Sequence, residues 1–303
     1  MRNGAVMKWS ISHNEEKTFP YTLKRGELIM VTASSSIHGF EVYPGWQENV
    51  YENRASYAER WGYEFMWANL SSYRFSPPLP GHWNKIAVLQ DAQIRYPNGK
   101  WFWWLDSDAL IMTPSIDIHT QLLSSEGFDS NVQLDFDIPK LGGGSSGFKT
   151  PSLMEIENIN MFIATDYWGI NTGSFLLRRG FWTDVLLDMM IDPLAIEKNW
   201  KYTDQESYVH MYNNHAFVRN HTAMVHQRVF NSYPEWNNLG HHWQPGELVA
   251  HFASCSGGDK DSMNRCYASW QKHWDMKEIS TTPDWIWQQL KDGTAPIANV
   301  RPS

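Results

Sequence analysis

Apolar runs of strand length alternate with amphipathic segments of helical period, most clearly in the first third of the chain. "ELIMVTASSS" (27–36) is a continuous apolar run closing on small residues, as expected of a strand buried on both faces. "WQENVYENRASYAERWGY" (46–63) puts Val50, Arg54, Tyr57, Ala58 and Trp61 on one helical face, with Gly62 as its stop. "EFMWAN" (64–69) is a second strand. "HWNKIAVLQDAQIRYPNGK" (82–100) gathers Trp83, Ile86, Ala87 and Ile94 on one side and ends at Pro97-Asn98-Gly99. "WFWWLD" then supplies a third strand. Strand, helix, strand, helix, strand predicts a parallel sheet with helical crossovers. Such sheets bind ligands beyond the carboxyl ends of their strands.

The second half is less regular. "LGGGSSGFKTPS" (141–152) has the composition of a flexible loop, either a plain surface loop or one that moves over a site. "MFIATDYWGINTGSFLLRR" (161–179) predicts two short strands around a Gly-Ile-Asn-Thr-Gly turn. Trp182, Val185, Leu186, Met189 and Met190 recur at helical spacing and form a core stripe. "DQESYVHMYNNH" (204–215) predicts a helix with Asp204 as its N-cap. "GELVAHFASCSG" alternates as a strand that carries His251. Neither internal repeats nor a charged linker divide the chain, which reads as one unit with two subregions.

Composition narrows the partners. Twenty-five basic residues against 33 acidic ones give a net charge of -8, with no basic run. That argues against nucleic acid and against adhesion to an anionic membrane. No apolar stretch reaches the roughly 18–20 residues that span a bilayer. The N-terminus lacks the apolar segment of a secretory signal. The 17 Trp exceed what a core alone usually holds and also suit stacking on sugars, although crowded aromatic cores are common. Cys255 and Cys266 are the two cysteines. They read as free thiols or as a pair, and the sequons at Asn69 and Asn220 lean toward the pair. A bridge there would close a short loop and stabilise by roughly 2–3 kcal/mol.

The candidate chemistry lies in "KWFWWLDSDALIM" (100–112). Five apolar residues deliver Asp106 and Asp108 to a strand end, and a second apolar run follows. Buried carboxylates are costly unless they are paired or hold a metal. Two residues apart, they can bend toward one hard cation such as Mn²⁺ or Mg²⁺. An isolated Asp-x-Asp occurs often by chance; its place after a buried strand gives it weight. His251 could complete an oxygen and nitrogen ligand set.

"FWWLDSDALIM", "INTGSFLLRRGFW", "TDQESY" and "AHFASCSG", in that order, closely resemble glycosyltransferase family 34, the galactosyl-/mannosyltransferase family of the secretory pathway. The resemblance runs from about residue 27 to 275 and includes fungal α-mannosyl- and α-galactosyltransferases and plant xyloglucan α-xylosyltransferases. It implies a GT-A fold: an α/β, Rossmann-like, mostly parallel central sheet flanked by helices. It also implies a nucleotide-sugar donor, a glycan acceptor, Mn²⁺ with Mg²⁺ as the alternative ion, and transfer with retention of the α configuration. The implied location is the Golgi lumen, on a type II anchor absent from this chain, within a multi-subunit complex if relatives are a guide.

Matched by motif, Asp106, Asp108 and His251 are the implied metal ligands. Asp204 and Gln205 would lie near the anomeric carbon, and Lys85 would steady the leaving diphosphate. Thr32, Ser34, Asp106, Ser107, Asn171, Thr172 and Gly173 would contact the nucleotide-sugar; Asp166 and Trp168 would contact the acceptor. The xylosyltransferase branch has an aspartate where this chain has Thr203. That branch also has a phosphate-contacting lysine near the position of Ser256, with Lys260 further on here. The implied organisation is a stem remnant (1–26), a catalytic domain (27–280) with nucleotide-binding (27–115) and acceptor-binding (116–280) halves, and a C-terminal extension (281–303). GDP-mannose is the favoured donor and UDP-galactose the runner-up. The rivals are a non-catalytic sugar-binding subunit and a metal-dependent phosphodiesterase acting on nucleotide-sugars.

Overall fold

The computed structural model describes residues 22–34, 43–76, 78–140, 142–235, 240–253, 255, 260–278 and 282–297. Most of the stem remnant, Ser35, Ser36 and Ser256 therefore lie outside the described residues. The first half follows the expected alternation: β1 (Leu28–Ser34), α1 (Trp46–Trp61), β2 (Glu64–Asn69), α2 (Asn84–Arg95), β3 (Trp101–Leu105) and a short β4 (Ala109–Ile111). Then come α3 (Ile118–Leu122), α4 (Ser125–Asn131), β5 (Asp137–Pro139), β6 (Ser145–Lys149), β7 (Met161–Asp166) and β8 (Gly169–Arg178). The rest is α5 (Phe181–Met190), α6 (Pro193–Ile196), α7 (Thr203–Asn214), α8 (Ala216–Arg219), β9 (Thr222–Val225), β10 (Val249–His251), α9 (Lys260–Met276) and α10 (Asp284–Lys291).

Six strands form the central sheet in the order β2-β1-β3-β8-β7-β9. β1 runs parallel to β2 and β3, and β9 parallel to β7, while β8 is antiparallel to both neighbours. The sheet is thus mixed, with β3 and β7 pointing the same way. Their carboxyl ends share one edge, which brings Asp106 and Asp166 to the same side of the molecule. β1 and β3 are buried along their whole length because both faces are covered. Ile29, Val31, Phe102 and Trp104 pack with α2, α5 and α7. Leu28, Met30, Trp101 and Trp103 pack with Tyr57 of α1 and with α3 and α4. Trp46, Trp67, Trp83, Trp101, Trp103, Trp104, Trp182 and Trp270 are buried, so about half of the 17 tryptophans belong to the core.

Three local expectations change. The segment 141–152 is not simply a loop: Ser145–Lys149 pairs with β5 as a hairpin. In α2 the buried face is Lys85, Ile86, Val88, Leu89 and Ala92, and Ile94 is exposed one residue before the helix ends. The turn between β7 and β8 falls at Tyr167-Trp168, ahead of the Asn-Thr-Gly triplet. Asp166 sets it, because its Oδ1 accepts the Trp168 N–H at 2.6 Å and closes a side-chain turn. Asn171, Thr172 and Gly173 therefore lie inside β8. There the pairing with β7 slips: Ile163 faces Phe175, but Ala164 faces Asn171. Such a bulge re-aims side chains, and bulges are common beside functional sites.

Cys255 and Cys266 are joined, with Cα atoms 5.8 Å apart, and tie α9 to the segment after β10. Replacing both by Ser should lower the unfolding free energy by roughly 2–3 kcal/mol. A urea titration of the oxidised wild type against the double variant checks this, and coincident midpoints would contradict it.

Candidate functional site

The site is built at the carboxyl edge, starting from β3. The sheet continues one step past Leu105, since the Asp106 N–H donates to the Gly173 carbonyl at 2.8 Å. The chain then turns, with the Ala109 N–H on the Asp106 carbonyl at 3.1 Å, and leaves as β4. Helix α1 clamps this turn from behind. Arg54, fully buried, donates from Nη2 to the carbonyls of Asp106 (3.1 Å) and Ala109 (2.6 Å). Its neighbour Asn53 exchanges two 2.9 Å hydrogen bonds with the backbone of Ile111. Burial pulls the Arg54 pKa down to about 9, against the opposing pull of Asp108 and Asp106. It stays cationic at neutral pH.

β10 lies antiparallel to β4 and sets His251 opposite Ala109. The Phe252 N–H on the Asp108 carbonyl (2.9 Å) locks the two segments together. His251 Nε2 comes within 3.3 Å of Asp108 Oδ1. One ligand atom each from Asp106, Asp108 and His251 lie within 4.8 Å of one another, the spacing a single ion needs. Two carboxylates and an imidazole suit Mn²⁺ better than Mg²⁺, which prefers oxygen alone. The imidazole fits because position 173 is glycine: a Cβ there would stand 2.1 Å from His251 Cε1. Burial favours the neutral imidazole, but Asp108 outweighs it and raises the His251 pKa. Burial likewise opposes ionisation of Asp108, and His251 outweighs it, so its pKa falls. The Asp106 pKa is raised by burial, against the pull of Lys85 and with the repulsion of Asp108.

Lys85 links this cluster to Asp204. Its Nζ lies 3.3 Å from Asp106 Oδ1 and 3.2 Å from Asp204 Oδ2, donates to the Thr172 carbonyl at 2.8 Å, and sits 5.2 Å from the centre of the Trp104 ring. Burial lowers the Lys85 pKa, but the two aspartates outweigh it and raise it. The ammonium is thus shared between carboxylates rather than held free for a diphosphate. Asp204 is buried and does not cap α7. Tyr202 holds the cap position, and Asp204 accepts from Thr172 Oγ1 (2.9 Å) and Thr203 Oγ1 (3.1 Å). Thr203, where the xylosyltransferases have an aspartate, supports that carboxylate from a left-handed conformation (φ 48°). Gln205 is half-buried beside it.

The other expected residues divide. Thr32 is fully buried, and its hydroxyl donates to the Leu105 carbonyl at 3.0 Å; Ser34 is also fully buried. Both are enclosed by the surrounding chain. Ser107 lies in the half-buried turn. The Asp166 carboxylate accepts from Trp168 N–H, Asn171 Nδ2 (3.0 Å) and the Tyr233 hydroxyl, so it braces the site from within. Trp168 is half-buried against Gly142, and Tyr167 beside it is exposed. Arg54, Asn53, Asn231 and Tyr233 were not singled out as site residues from sequence. Only Arg54 carried a signal, as a cation in an apolar helical stripe.

A family model described as the galactosyl transferase GMA12/MNN10 family matches residues 24–262. An uncharacterised α-1,2-galactosyltransferase of Schizosaccharomyces pombe is 34% identical over 212 residues, 68% of this chain and 55% of that protein. A probable α-1,6-mannosyltransferase, MNN10 of Saccharomyces cerevisiae, is 30% identical over 188 residues, 60% of this chain and 47% of that protein. The chain thus spans about half the length of these relatives. Among solved structures, a glycosyltransferase involved in glycosylation of the major capsid of PBCV-1 aligns at 15% identity with a TM-score of 0.47, over 80% of this chain and 98% of that one.

Gly173→Ala tests the packing of the cluster. The added methyl should displace the imidazole and weaken Mn²⁺ binding by roughly tenfold or more, the usual scale for a disturbed ligand support. Isothermal titration of the folded variant with Mn²⁺ measures this; an unchanged affinity would show that His251 tolerates displacement.

Proposed function

Because the chain belongs to the galactosyl transferase GMA12/MNN10 family, we propose that it is a Mn²⁺-dependent retaining α-glycosyltransferase that moves a hexose from a nucleotide-sugar to a glycan acceptor. The observation that carries this reading is the convergence of Asp106, Asp108 and His251, with Asp204 tied to Asp106 through Lys85. A bound Mn²⁺ would supply positive charge to a departing nucleoside diphosphate, so that departure needs no acid. Asp204 and Gln205 would then face the sugar and stabilise the cationic transition state, through same-face attack or double displacement. Lys85 and Thr172 hold one Asp204 oxygen and Thr203 the other, which fixes the carboxylate's orientation. Tyr167 and Trp168 form the turn beyond that edge, where aromatic faces suit the C–H surface of an acceptor sugar.

The galactosyl relative matches at higher identity and over more of the chain than the mannosyl one. UDP-galactose therefore takes the first place that GDP-mannose holds on sequence alone, with GDP-mannose as the second reading. A mannan-type or N-linked glycan is the acceptor that suits both. The joined cysteines favour an oxidising compartment, consistent with action in the Golgi lumen as part of a membrane-anchored protein. Among the described residues no helix is long and apolar enough to cross a membrane, so the anchor belongs to the proposal.

Thermal denaturation with UDP-galactose or GDP-mannose, each with and without Mn²⁺, should show metal-dependent stabilisation, larger for UDP-galactose. Transfer to mannose oligosaccharides, followed by mass spectrometry, should accompany it. Asp108→Ala and Asp204→Asn should each lower transfer by roughly 10²–10³-fold, the scale of lost charge stabilisation in a transition state, in proteins that still fold but melt at a lowered midpoint, because His251 or Lys85 loses a charged partner. Binding of sugar without transfer to any acceptor would favour the non-catalytic subunit instead.

A further inference from the structure

Behind the metal-ligand cluster runs a chain of hydrogen bonds whose direction is fixed. It starts at the backbone N–H of Gly173, a group that can only donate, which gives its proton to Asn171 Oδ1 at 2.8 Å. At the other end of that amide, Asn171 Nδ2 donates to Asp166 Oδ2 (3.0 Å) and to the Tyr233 hydroxyl (2.9 Å). Turning the amide over would face two donors at Gly173 and two acceptors at Asp166. Asn171 Oδ1 also meets Asn231 at 3.0 Å, and Asn231 must offer its Nδ2 there. The remaining Asn231 atom, Oδ1, then faces His251 Nδ1 at 2.7 Å. An amide oxygen only accepts, so His251 Nδ1 must carry the proton.

The consequence falls on the opposite ring nitrogen. With the proton on Nδ1, the lone pair of the neutral imidazole is on Nε2, the nitrogen that lies 3.3 Å from Asp108 Oδ1. The ring plane is held as well, between the space left by Gly173 and the Tyr233 ring, whose centroid is 5.9 Å away. Asn231 is fully buried, and among the described residues its side chain bonds Asn171 and His251.

We propose that Asn231 is a positioning residue for the cation: it holds His251 as the Nδ1–H tautomer with Nε2 presented to the metal, and Asn171 in turn aligns Asn231. This rests on reading Asp106, Asp108 and His251 as a divalent-cation site. Without the Asn231 oxygen, Asp108 would draw the imidazole proton to Nε2, and the ligating lone pair would point away from the ion. Partners of this kind behind a ligating histidine typically change metal affinity 10–100-fold.

The test uses two variants and two readouts. Asn231→Leu removes the acceptor and the donor together, whereas Asn231→Asp keeps an oxygen toward Nδ1 and gives up only the donor to Asn171 Oδ1, which still accepts from the Gly173 N–H. Isothermal titration with Mn²⁺ should show affinity lowered roughly 10–100-fold in Asn231→Leu and restored to within about threefold of wild type in Asn231→Asp. An Asn231→Leu protein that is folded by circular dichroism and binds Mn²⁺ like wild type would overturn the proposal. The second readout needs no metal and no variant of Asn231. Long-range ¹H–¹⁵N spectra of histidine-labelled wild type at alkaline pH, with the His251 signal assigned by its loss in His251→Gln, should show the Nδ1–H form. An Nε2–H form would also overturn it. If wild type binds no Mn²⁺, the metal reading fails, and this spectrum still decides the role of Asn231.

Discussion

Much of this structure follows from the need to keep three carboxylates together at a sheet edge. Asp106, Asp108 and Asp204 converge there, the first two half-buried and Asp204 almost wholly buried. Isolated buried charges cost several kcal/mol each. Each is therefore met by a specific partner. Lys85 bridges Asp106 and Asp204, His251 faces Asp108, and Arg54 holds the backbone on either side of the turn between them. The partners come from α2, β10 and α1, so the cluster also ties together elements far apart in sequence. Cutting any one of these ties would leave a charge buried without compensation, which costs more than the tie itself contributes.

The sheet places these groups through one irregularity. Had β8 paired with β7 without a slip, Thr172 and Gly173 would follow the ordinary pleat. On the other side the regular β3–β8 ladder brings the Gly173 carbonyl to the Asp106 N–H, and the bare Gly173 Cα makes room for His251. Thr172 meanwhile turns its carbonyl to Lys85 and its hydroxyl to Asp204. Two consecutive residues thus serve Asp106 and His251, the bridging lysine and Asp204, all from a strand locked between β3 and β7.

The local elements were largely legible in sequence because their hydrophobic periods are strong. β1, α1, β2 and β3 lie within a residue or two of their expected places, and Asp106, Asp108 and His251 were recognisable from strand-end position and motif. What escaped was decided by side chains acting on backbone or on each other across the chain. The β7–β8 turn depends on Asp166 capturing the Trp168 N–H, an effect that no periodicity encodes. Lys85 was expected beside a leaving diphosphate, and its ammonium lies between two carboxylates. Thr32 sat at the correct strand end for a ligand contact, but its hydroxyl is turned into the sheet toward Leu105. Asn231 belongs to no motif: its importance arises only because the fold brings it between Asn171 and His251.

The charge balance of the cluster also bears on the order in which ligands arrive. Counting a neutral imidazole, the four carboxylates Asp106, Asp108, Asp166 and Asp204 face two cations, Arg54 and Lys85, so the cluster carries two excess negative charges. It would repel a nucleoside diphosphate and attract a divalent cation. A bound Mn²⁺ would cancel that excess, and in a site of low effective dielectric the cancellation would matter more than in water. The arrangement therefore favours the cation before the donor, or the two together. Departure of a diphosphate would then be assisted by a charge that the protein itself does not permanently hold. Lys85 gains a distinct meaning in this account. By sharing its ammonium between Asp106 and Asp204 it keeps the two carboxylates from repelling each other apart, so that under the proposed function one side chain would hold leaving-group and anomeric-carbon chemistry at a fixed spacing.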